Sequence, residues 1–302
     1  SSAASDVYKR QVLMNEDSTV VENRVLTTAE IQNAAATFEG LDMGVPYIAQ
    51  IFYNEVLRGT LNTKTSGSSG SLIFNINIPG ITAEDISTAL AGHAAEGTKK
   101  VTVNFASGME FNMEGTITIP TGIQDISFVG SENANGKLSQ LNKVYFAIES
   151  EVNDVNFEYL SMNSDGGFMF QVGAQKFHDI TFEGCEVKQV NSAVRLHSGA
   201  EGNSVNFNNC WVSNTGGWSF LNVGSGCTIP AINVTNSTLT EFNTRIADIR
   251  VKTDIKFKNV TLVNIAEKMT HLWLLDNNSK PTVTIENCIF ACLLYTSPSP
   301  RD

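Results

Sequence analysis

The sequence lacks the features of several common protein classes. Its 302 residues contain 20 lysines and arginines against 31 aspartates and glutamates, for a formal net charge of −11. Because such an acidic chain repels phosphate backbones, we expect no nucleic-acid partner. No apolar run approaches the roughly 20 residues needed to cross a bilayer, so no transmembrane segment is predicted. Only 17% of the residues are charged, and the abundance of asparagine, threonine, serine and glycine favours strands and turns over helices.

Metal-binding and redox motifs are also scarce. The five cysteines include no Cys-x-x-Cys pair, and the four histidines do not have the spacing of zinc ligands. The sequence therefore predicts neither a metal site nor a cofactor. We expect ordinary turn or surface roles for His93, His178 and His271, because no carboxylate pattern repeats beside them.

Both ends of the chain look foreign to the rest of it. The first eleven residues, SSAASDVYKRQ, and the last eleven, CLLYTSPSPRD, resemble translated adapters used in preparing DNA libraries. We therefore assign residues 1–11 and 292–302 to adapter sequence and exclude them from the fold. On this interpretation residues 12–291 are a fragment, and a lipid anchor on the missing N-terminal part is compatible with it.

Residues 12–66 are predicted to form the C-terminal part of a β-sandwich. Leu41 and a turn precede Tyr47, which leads an alternating strand, and Asn54–Glu55 then turns the chain into a further strand. This arrangement resembles the tyrosine corner of fibronectin type III modules. Some other β-hairpin region is the alternative. Residues 67–80 continue a Gly/Ser-rich run and are predicted to be a linker.

A short helix and a long repetitive region follow. Thr82 is a good N-cap with acidic residues after it, so a capping helix is predicted to about Ala94. The rest of the chain repeats the pattern apolar-x-apolar-x-Asn/Gly-small-x-apolar about every 26 residues. The central apolar residues of the repeats are Phe128, Phe157, Phe182, Phe207, Val234, Phe257 and Ile285.

A turn of this length cannot bury its own apolar face. Stacking successive turns ~4.8 Å apart buries that face and pairs each strand with the next turn. Polar turn residues then form columns, in which left-handed backbone and rung-to-rung amide hydrogen bonds are expected. Asparagines 209, 236, 259 and 287 form such a column, and Gly184 shares their position.

A second column is predicted to hold buried thiols. Cys185, Cys210 and Cys288 occupy the position that Ser237 and Val260 occupy in other repeats, which indicates a slot for a small inward-facing side chain. Stacked side chains that aim in the same direction have poor disulfide geometry. We therefore expect free core thiols without a catalytic role.

The repeat resembles the right-handed parallel β-helix of the pectin-lyase-like superfamily over residues 81–291. The predicted fold class is all-β: a right-handed single-stranded parallel β-helix with a short N-terminal capping helix, preceded by part of a fibronectin type III-like sandwich. The combination is similar to surface or secreted β-helix proteins of Gram-negative glycan-utilisation systems. That resemblance implies an extracellular or outer-membrane location and contact with polysaccharide.

One outward-facing strip is the candidate binding site. If Val194 and Leu196 point inward, strand alternation places Arg195 and His197 on the outer face. The same alternation places Phe220 and Asn222 outward one rung later, and Asp248 and Arg250 outward two rungs later. Cationic, amide and aromatic groups on one face suit sugar rings and uronate carboxylates. The candidate carbohydrate-binding residues are Arg195, His197, Trp211, Phe220, Asn222, Asp248 and Arg250, with Trp273 extending the strip.

The alternative for this strip is a solvated face held by ion pairs of Asp248 with Arg195 or Arg250. For Trp211, which lies on the strand after the asparagine turn, the alternative is packing under a loop. These alternatives remain open at the level of the sequence.

The favoured function is polysaccharide recognition without catalysis. Polygalacturonase-like hydrolases imply three aspartates on adjacent rungs with a histidine, and the rungs show no such motif. Asp165 and Asp248 are the aspartates best placed by sequence, but three rungs separate them by about 14 Å, too far for glycoside hydrolysis. A polysaccharide lyase built on Arg195 or Arg250 is the enzymatic alternative. A structural or adhesive surface module is the second alternative.

Overall fold

The computed structural model describes residues 9–38, 41, 45–65, 71–243, 245–265 and 272–291. The chain divides into two compact units, residues 1–72 and residues 73–302. Among the described residues, no helix is long and apolar enough to cross a membrane.

The first unit contains an antiparallel sheet with the strand order β2-β1-β3-β4. Val12, Leu13 and Tyr47 are buried in it. The turn predicted at Asn54–Glu55 is confirmed, since both residues have positive φ and join two paired strands. The elements are β1 (Lys9–Asn15), β2 (Val20–Val25), α1 (Thr28–Asn33), β3 (Pro46–Tyr53) and β4 (Val56–Lys64).

Helix α1 was not expected in a stretch interpreted as strands and turns. Thr27 and Glu30 form a reciprocal capping box, in which the threonine Oγ1 accepts from the Glu30 backbone N–H and the Glu30 carboxylate accepts from the Thr27 backbone N–H. A hydrogen bond from Arg24 is the main reason that the pKa of Glu30 falls to about 2. The capping hydrogen bonds therefore stabilise a helix in a segment whose hydrophobic pattern only weakly favours a strand.

The fibronectin type III-like assignment stays a prediction. Within the described part of the first unit there is one sheet, and residues 42–44 of the proposed tyrosine corner lie outside the described residues. Strand β1 begins at Lys9, inside the eleven residues assigned to adapter sequence. Strand β5 (Ser71–Ile76) lies within the stretch predicted as a linker, and residues 66–70 are outside the described residues.

The second unit is a parallel β-solenoid of about eight turns, which confirms the predicted β-helix. The capping helix is also confirmed as α2 (Ala83–Ala95). Thr82 and Asp85 form its capping box, and its own residues Ile86 and Leu90 are buried. Each later turn consists of three short strands, and strands of successive turns pair in parallel to form three stacks.

The first stack is a nine-stranded sheet with β5 at one edge. Its remaining strands are β6 (Lys100–Phe105), β8 (Asp125–Val129), β10 (Asp154–Glu158), β13 (Asp179–Glu183), β16 (Ser204–Asn208), β19 (Ala231–Thr235), β22 (Asp254–Lys258) and β25 (Thr282–Glu286).

The second and third stacks form one sheet, because the long strand β9 (Ser139–Ile148) runs through both and pairs with β7 (Glu110–Ile119). The second stack continues through β11 (Leu160–Asn163), β14 (Glu186–Val190), β17 (Trp211–Thr215), β20 (Thr238–Phe242), β23 (Thr261–Ile265) and β26 (Ile289–Ala291). The third stack continues through β12 (Phe168–Val172), β15 (Ser192–Leu196), β18 (Ser219–Val223), β21 (Arg245–Ile249) and β24 (Trp273–Leu275).

The alignment of the repeats that the sequence predicted agrees with the strand register observed in the first stack. Each central apolar residue lies opposite that of the next turn, from Phe128 through to Ile285. The rings of Phe157, Phe182 and Phe207 stack with centroids 4.6 and 4.4 Å apart. This aromatic column is the centre of the solenoid core.

The asparagine column has the expected backbone. Asn209, Asn236, Asn259 and Asn287 all have φ near +50°, as does Gly184 at +61°. The Asn259 amide donates to the Asn236 side chain at 3.0 Å, as expected for a ladder. The Asn236 amide donates instead to Asn208, one residue before the predicted partner, at 2.9 Å.

The cysteine column is confirmed as a set of free thiols. Cys185 and Cys210 are buried, and their Sγ atoms contact the backbone oxygens of Phe157 and Phe182 at 3.3 and 3.4 Å. Burial raises the pKa of Cys210 to about 12 and raises the pKa of Cys185 further.

We expect these two thiols to resist alkylation in the folded protein. At pH 8 a thiol of pKa about 12 has roughly 10⁻⁴ of its population as the reactive thiolate. Iodoacetamide labelling followed by peptide mass spectrometry should modify Cys210 at least ~100-fold more slowly than the less buried Cys288. Equal rates for the two residues would contradict the buried, protonated state of Cys210.

Candidate functional site

The outer face of the third stack carries a column of planar polar side chains. Parallel pairing places Gln171 beside Arg195, Arg195 beside Asn222, and Asn222 beside Asp248. Successive members are one rung apart, about 4.8 Å along the solenoid axis. We call these four residues the polar column. It brings together three of the predicted residues and adds Gln171.

Two aromatic residues hold Arg195 within this column. Its guanidinium carbon lies 4.3 Å from the ring centroid of Phe168 and 5.0 Å from that of Trp218. The two rings meet edge to face at 5.9 Å. We call Phe168 and Trp218 the aromatic clamp. Cation–π stacking occupies the faces of the guanidinium, whereas its N–H donors lie in the plane of the group.

A recurring sequence pattern, a Gly-Gly pair followed by an aromatic residue, marks both members of the aromatic clamp, although the candidate strip was predicted without it. The segments SDGGFMF and SNTGGWSF recur two turns apart, and Phe168 and Trp218 each follow a Gly-Gly pair. A Cβ at Gly167 would lie within 2.4 Å of the Tyr145 ring, so the chain approaches its neighbour too closely for a side chain there. The close approach is specific to the first segment, since a Cβ at Gly217 would meet its nearest neighbour at 3.2 Å.

His197 also lies on this face, one strand position beyond Leu196. A ring nitrogen, Nε2, is 3.1 Å from Oε1 of Gln171. Partial burial, followed by the positive charge of Arg195, lowers the pKa of His197 from its usual value. The neutral imidazole is therefore favoured, and it contributes hydrogen-bonding capacity to the polar column without adding charge.

Asp248 is the most buried charge of the polar column, with 6% of its surface exposed. Its carboxylate accepts from Arg250 Nε at 2.6 Å and Arg250 Nη2 at 3.3 Å, and Arg245 lies 3.6 Å away. The hydrogen bond that Arg250 donates to this carboxylate raises the pKa of Arg250. Asp248 and Arg250 thus form one of the ion pairs that the alternative named, but within a single turn and with Asp248 buried, whereas Arg195 stacks on the aromatic clamp.

Two predicted members of the strip face the core. Phe220 is fully buried, with its ring centroid 4.8 Å from that of Phe207. Trp273 pairs with the buried Ala247, and its ring meets Phe257 at 5.1 Å. The chain bends between the second and third stacks, so consecutive side chains at the start of β18 are both buried. Strict alternation, which placed Phe220 outward, does not hold at that bend.

Trp211 lies apart from the polar column. It starts β17 in the second stack, between Glu186 and Thr238 of the neighbouring turns, and 53% of its surface is exposed. The sequence correctly predicted an outward indole, which belongs to a different strand stack from Arg195.

A second polar cluster lies where the first-stack strands begin. Asp125, Asp154 and Asp179 stand in register on three adjacent rungs, and His178 Nδ1 lies 3.2 Å from Asp154 and 3.1 Å from Asp179. The expectation that no carboxylates accompany His178 and that the rungs lack adjacent aspartates was wrong. The repeat alignment contains this column, since an aspartate immediately precedes each of these three repeats.

The other histidines remain ordinary. His93 pairs with the exposed Glu96 at the end of α2, as expected for a surface residue. His271 lies outside the described residues.

We call Asp125, Asp154 and Asp179 the aspartate column. Asp125 and Asp154 line a groove of about 750 Å³. Its lining includes His178, two lysines and four carboxylates. The lysines are Lys100 and Lys176, and the carboxylates are Asp125, Glu151, Asp154 and Glu201. The excess of acidic groups gives the groove a negative potential that favours cations.

No protein-family model matches the sequence. No curated protein matches it. Among solved structures the chain resembles the family 28 exopolygalacturonase of Yersinia enterocolitica, with 8% sequence identity, a TM-score of 0.22 and 95% of each chain covered. A match at this level carries no information about activity or substrate.

Proposed function

We propose that this protein binds a linear polysaccharide along the outer face of its third strand stack, without catalysis, in an extracellular or cell-surface setting. The observation that carries the proposal is the polar column with its aromatic clamp. Gln171 and Arg195 are partly exposed on adjacent rungs, so a linear polymer that runs parallel to the solenoid axis can contact them in succession. Asn222 and Asp248 continue the column as buried residues.

The chemistry of the column suits sugar hydroxyls. Arg195 offers in-plane donors whose direction is set by Phe168 and Trp218, and the partly exposed Gln171 beside it offers both a donor and an acceptor. Trp218 is 43% exposed, so part of its indole is available to stack on the C–H face of a sugar ring. The net charge of −11 disfavours strongly anionic polymers and favours neutral or sparsely charged ones.

Hydrolysis at the aspartate column is the second candidate function. The observation that favours it is the presence of Asp125, Asp154 and Asp179 on adjacent rungs beside a groove. Asp125 and Asp179 are two rungs apart, about 9.6 Å at the usual spacing, which is at the upper limit for inverting glycosidases.

We expect Arg195→Ala and Trp218→Ala each to weaken glycan binding at least ~10-fold, because truncation of an anchoring arginine or tryptophan at the centre of an interface typically costs more than ~1.4 kcal/mol. Binding would be found on an array of neutral and uronic-acid glycans. Affinities for the best ligand would then be measured by isothermal titration calorimetry.

Trp211→Ala is the matched control, since it removes an exposed indole from the second stack. Its affinity should remain within about twofold of the original. Loss of binding in this variant alone would move the site to the second stack, and failure to bind any glycan would reject the recognition function. New reducing ends that disappear in Asp125→Asn would establish the hydrolytic candidate instead.

A further inference from the structure

We propose that Asp154, His178 and Asp179 form a binding site for a divalent transition-metal ion, for which Zn²⁺ is the best match. One ligand atom from each residue lies within 4.8 Å of the other two. The three residues come from two adjacent turns at the start of β10 and β13. The inference does not depend on which glycan, if any, the third stack binds.

The distances within the cluster suit a small cation. His178 Nδ1 is 3.2 Å from an Asp154 oxygen and 3.1 Å from an Asp179 oxygen. Ligand atoms at 2.0–2.1 Å from a tetrahedral zinc are roughly 3.3–3.4 Å apart, close to these values. A single proton on Nδ1 can be donated well to one of these oxygens but not to both, whereas a metal ion can bind all three atoms together.

The carboxylate of Asp179 is oriented from its far side. Its Oδ1 accepts from Asn203 Nδ2 at 3.0 Å and from the Ser204 hydroxyl, and its Oδ2 is the atom beside His178. Hydrogen bonds from surrounding residues to one carboxylate oxygen are a common way to fix a metal ligand. The neighbouring turn therefore holds Asp179 in the orientation that the site needs.

The backbone of His178 is held by both neighbouring turns. Its N–H donates to the Asn153 oxygen at 2.7 Å, and its own oxygen accepts from the Asn203 N–H at 2.9 Å. The histidine thus occupies a fixed rung position although 62% of its side chain is exposed. Three protein ligands, of which Asp154 and His178 line the groove, leave a coordination position for water or for a ligand oxygen.

The charges around the cluster also favour a cation. Lys100 pairs with Asp125 at 3.1 Å, and Lys176 pairs with Glu201 at 2.8 Å. Among the described residues, the ion pairs of Asp154 and Asp179 are both with His178. Two stacked carboxylates therefore share one imidazole as their ion-pair partner. A divalent ion would neutralise the negative charge of both carboxylates, which a single imidazole does not.

The nitrogen ligand distinguishes between metal classes. Calcium and magnesium prefer sites made of oxygen ligands alone, whereas zinc readily combines imidazole with carboxylates. We therefore expect Zn²⁺ to bind at least ~10-fold more tightly than Ca²⁺.

The test is isothermal titration calorimetry of the full chain, first freed of metal with a chelator, using ZnCl₂ and in parallel CaCl₂. One Zn²⁺ per chain should bind, and the affinity should fall at least ~10-fold in His178→Gln and in Asp179→Asn. Asp254→Asn is the matched control, because Asp254 lies in the same column three rungs away and accepts from Thr282 at 2.6 Å. Its zinc affinity should remain within about twofold.

Thermal melting without metal checks that each variant folds, and the exposed His178→Gln change should leave that melting temperature unchanged. Zinc should raise the melting temperature of the original chain and of Asp254→Asn, but not of His178→Gln. The proposal is overturned if no zinc binds, or if zinc binds equally to the original chain and to both site variants.

Discussion

Phe182→Ala is expected to destabilise the solenoid by about 3–5 kcal/mol, the usual cost of removing a fully buried phenylalanine. The ring stacks on Phe157 at 4.6 Å and on Phe207 at 4.4 Å, so its removal leaves a cavity shared by three turns. For a unit of this size the melting temperature should fall by about 6–20 °C. Scanning calorimetry or urea denaturation followed by circular dichroism measures the change.

Ile285→Ala provides the matched comparison. Ile285 occupies the same position in the repeat, in register with Phe257, but 45% of its surface is exposed. Its truncation should cost less than ~1 kcal/mol, because little apolar surface is lost from the interior. Equal destabilisation by the two variants would show that the phenylalanine column is not the main source of core stability.

Gly130→Ala is expected to cost about 2–3 kcal/mol, the upper part of the range for overpacking a core. A Cβ at this position would lie 2.5 Å from the backbone oxygen of Tyr159 and 2.7 Å from Leu160 Cδ2. The obstructing oxygen belongs to the next turn, so relief of the contact requires two turns to separate locally. Urea denaturation should show a lower midpoint with an unchanged slope.

Gly80→Ala tests whether the loss comes from the close approach and not from replacing glycine in general. A Cβ at Gly80 meets nothing within 4 Å, and we expect a change within about 0.5 kcal/mol. If Gly130→Ala were equally neutral, the turns at that point would have to be more loosely packed than the structure indicates.

The solenoid could be predicted from the sequence because its strongest signal is periodic. A column such as Phe157, Phe182 and Phe207 exists only if turns of similar length stack in register, and each repeat adds support for the same alignment. The left-handed backbone of the asparagine turns follows from the same alignment, since few residues tolerate that conformation.

The corners of the turns were harder to predict. Alternation describes a regular strand, but Phe220 follows the bend between two stacks, where consecutive side chains become buried. Helix α1 was missed because six residues are too few to show helical periodicity, although Thr27 and Glu30 form a recognisable capping pair.

The candidate sites depended on residues outside the aligned core of the repeat. Trp218 lies in the connection before β18, outside the strands that the sequence aligned, so its contact with Arg195 was not predicted. The aspartate column was one position upstream of the aligned pattern. Extending each repeat by that residue would have shown Asp125, Asp154 and Asp179 in one column.

Because the register of the stacks is constant, the length of the solenoid is proportional to its number of turns. Every additional turn lengthens the outer face by about 4.8 Å and adds one more position to each column, without changing how the other turns pair. Gain of a whole turn beyond Asp248 would therefore add one position to the polar column. The same event between Asp154 and Asp179 would separate two side chains that now share one imidazole, while the core phenylalanines would stack as before.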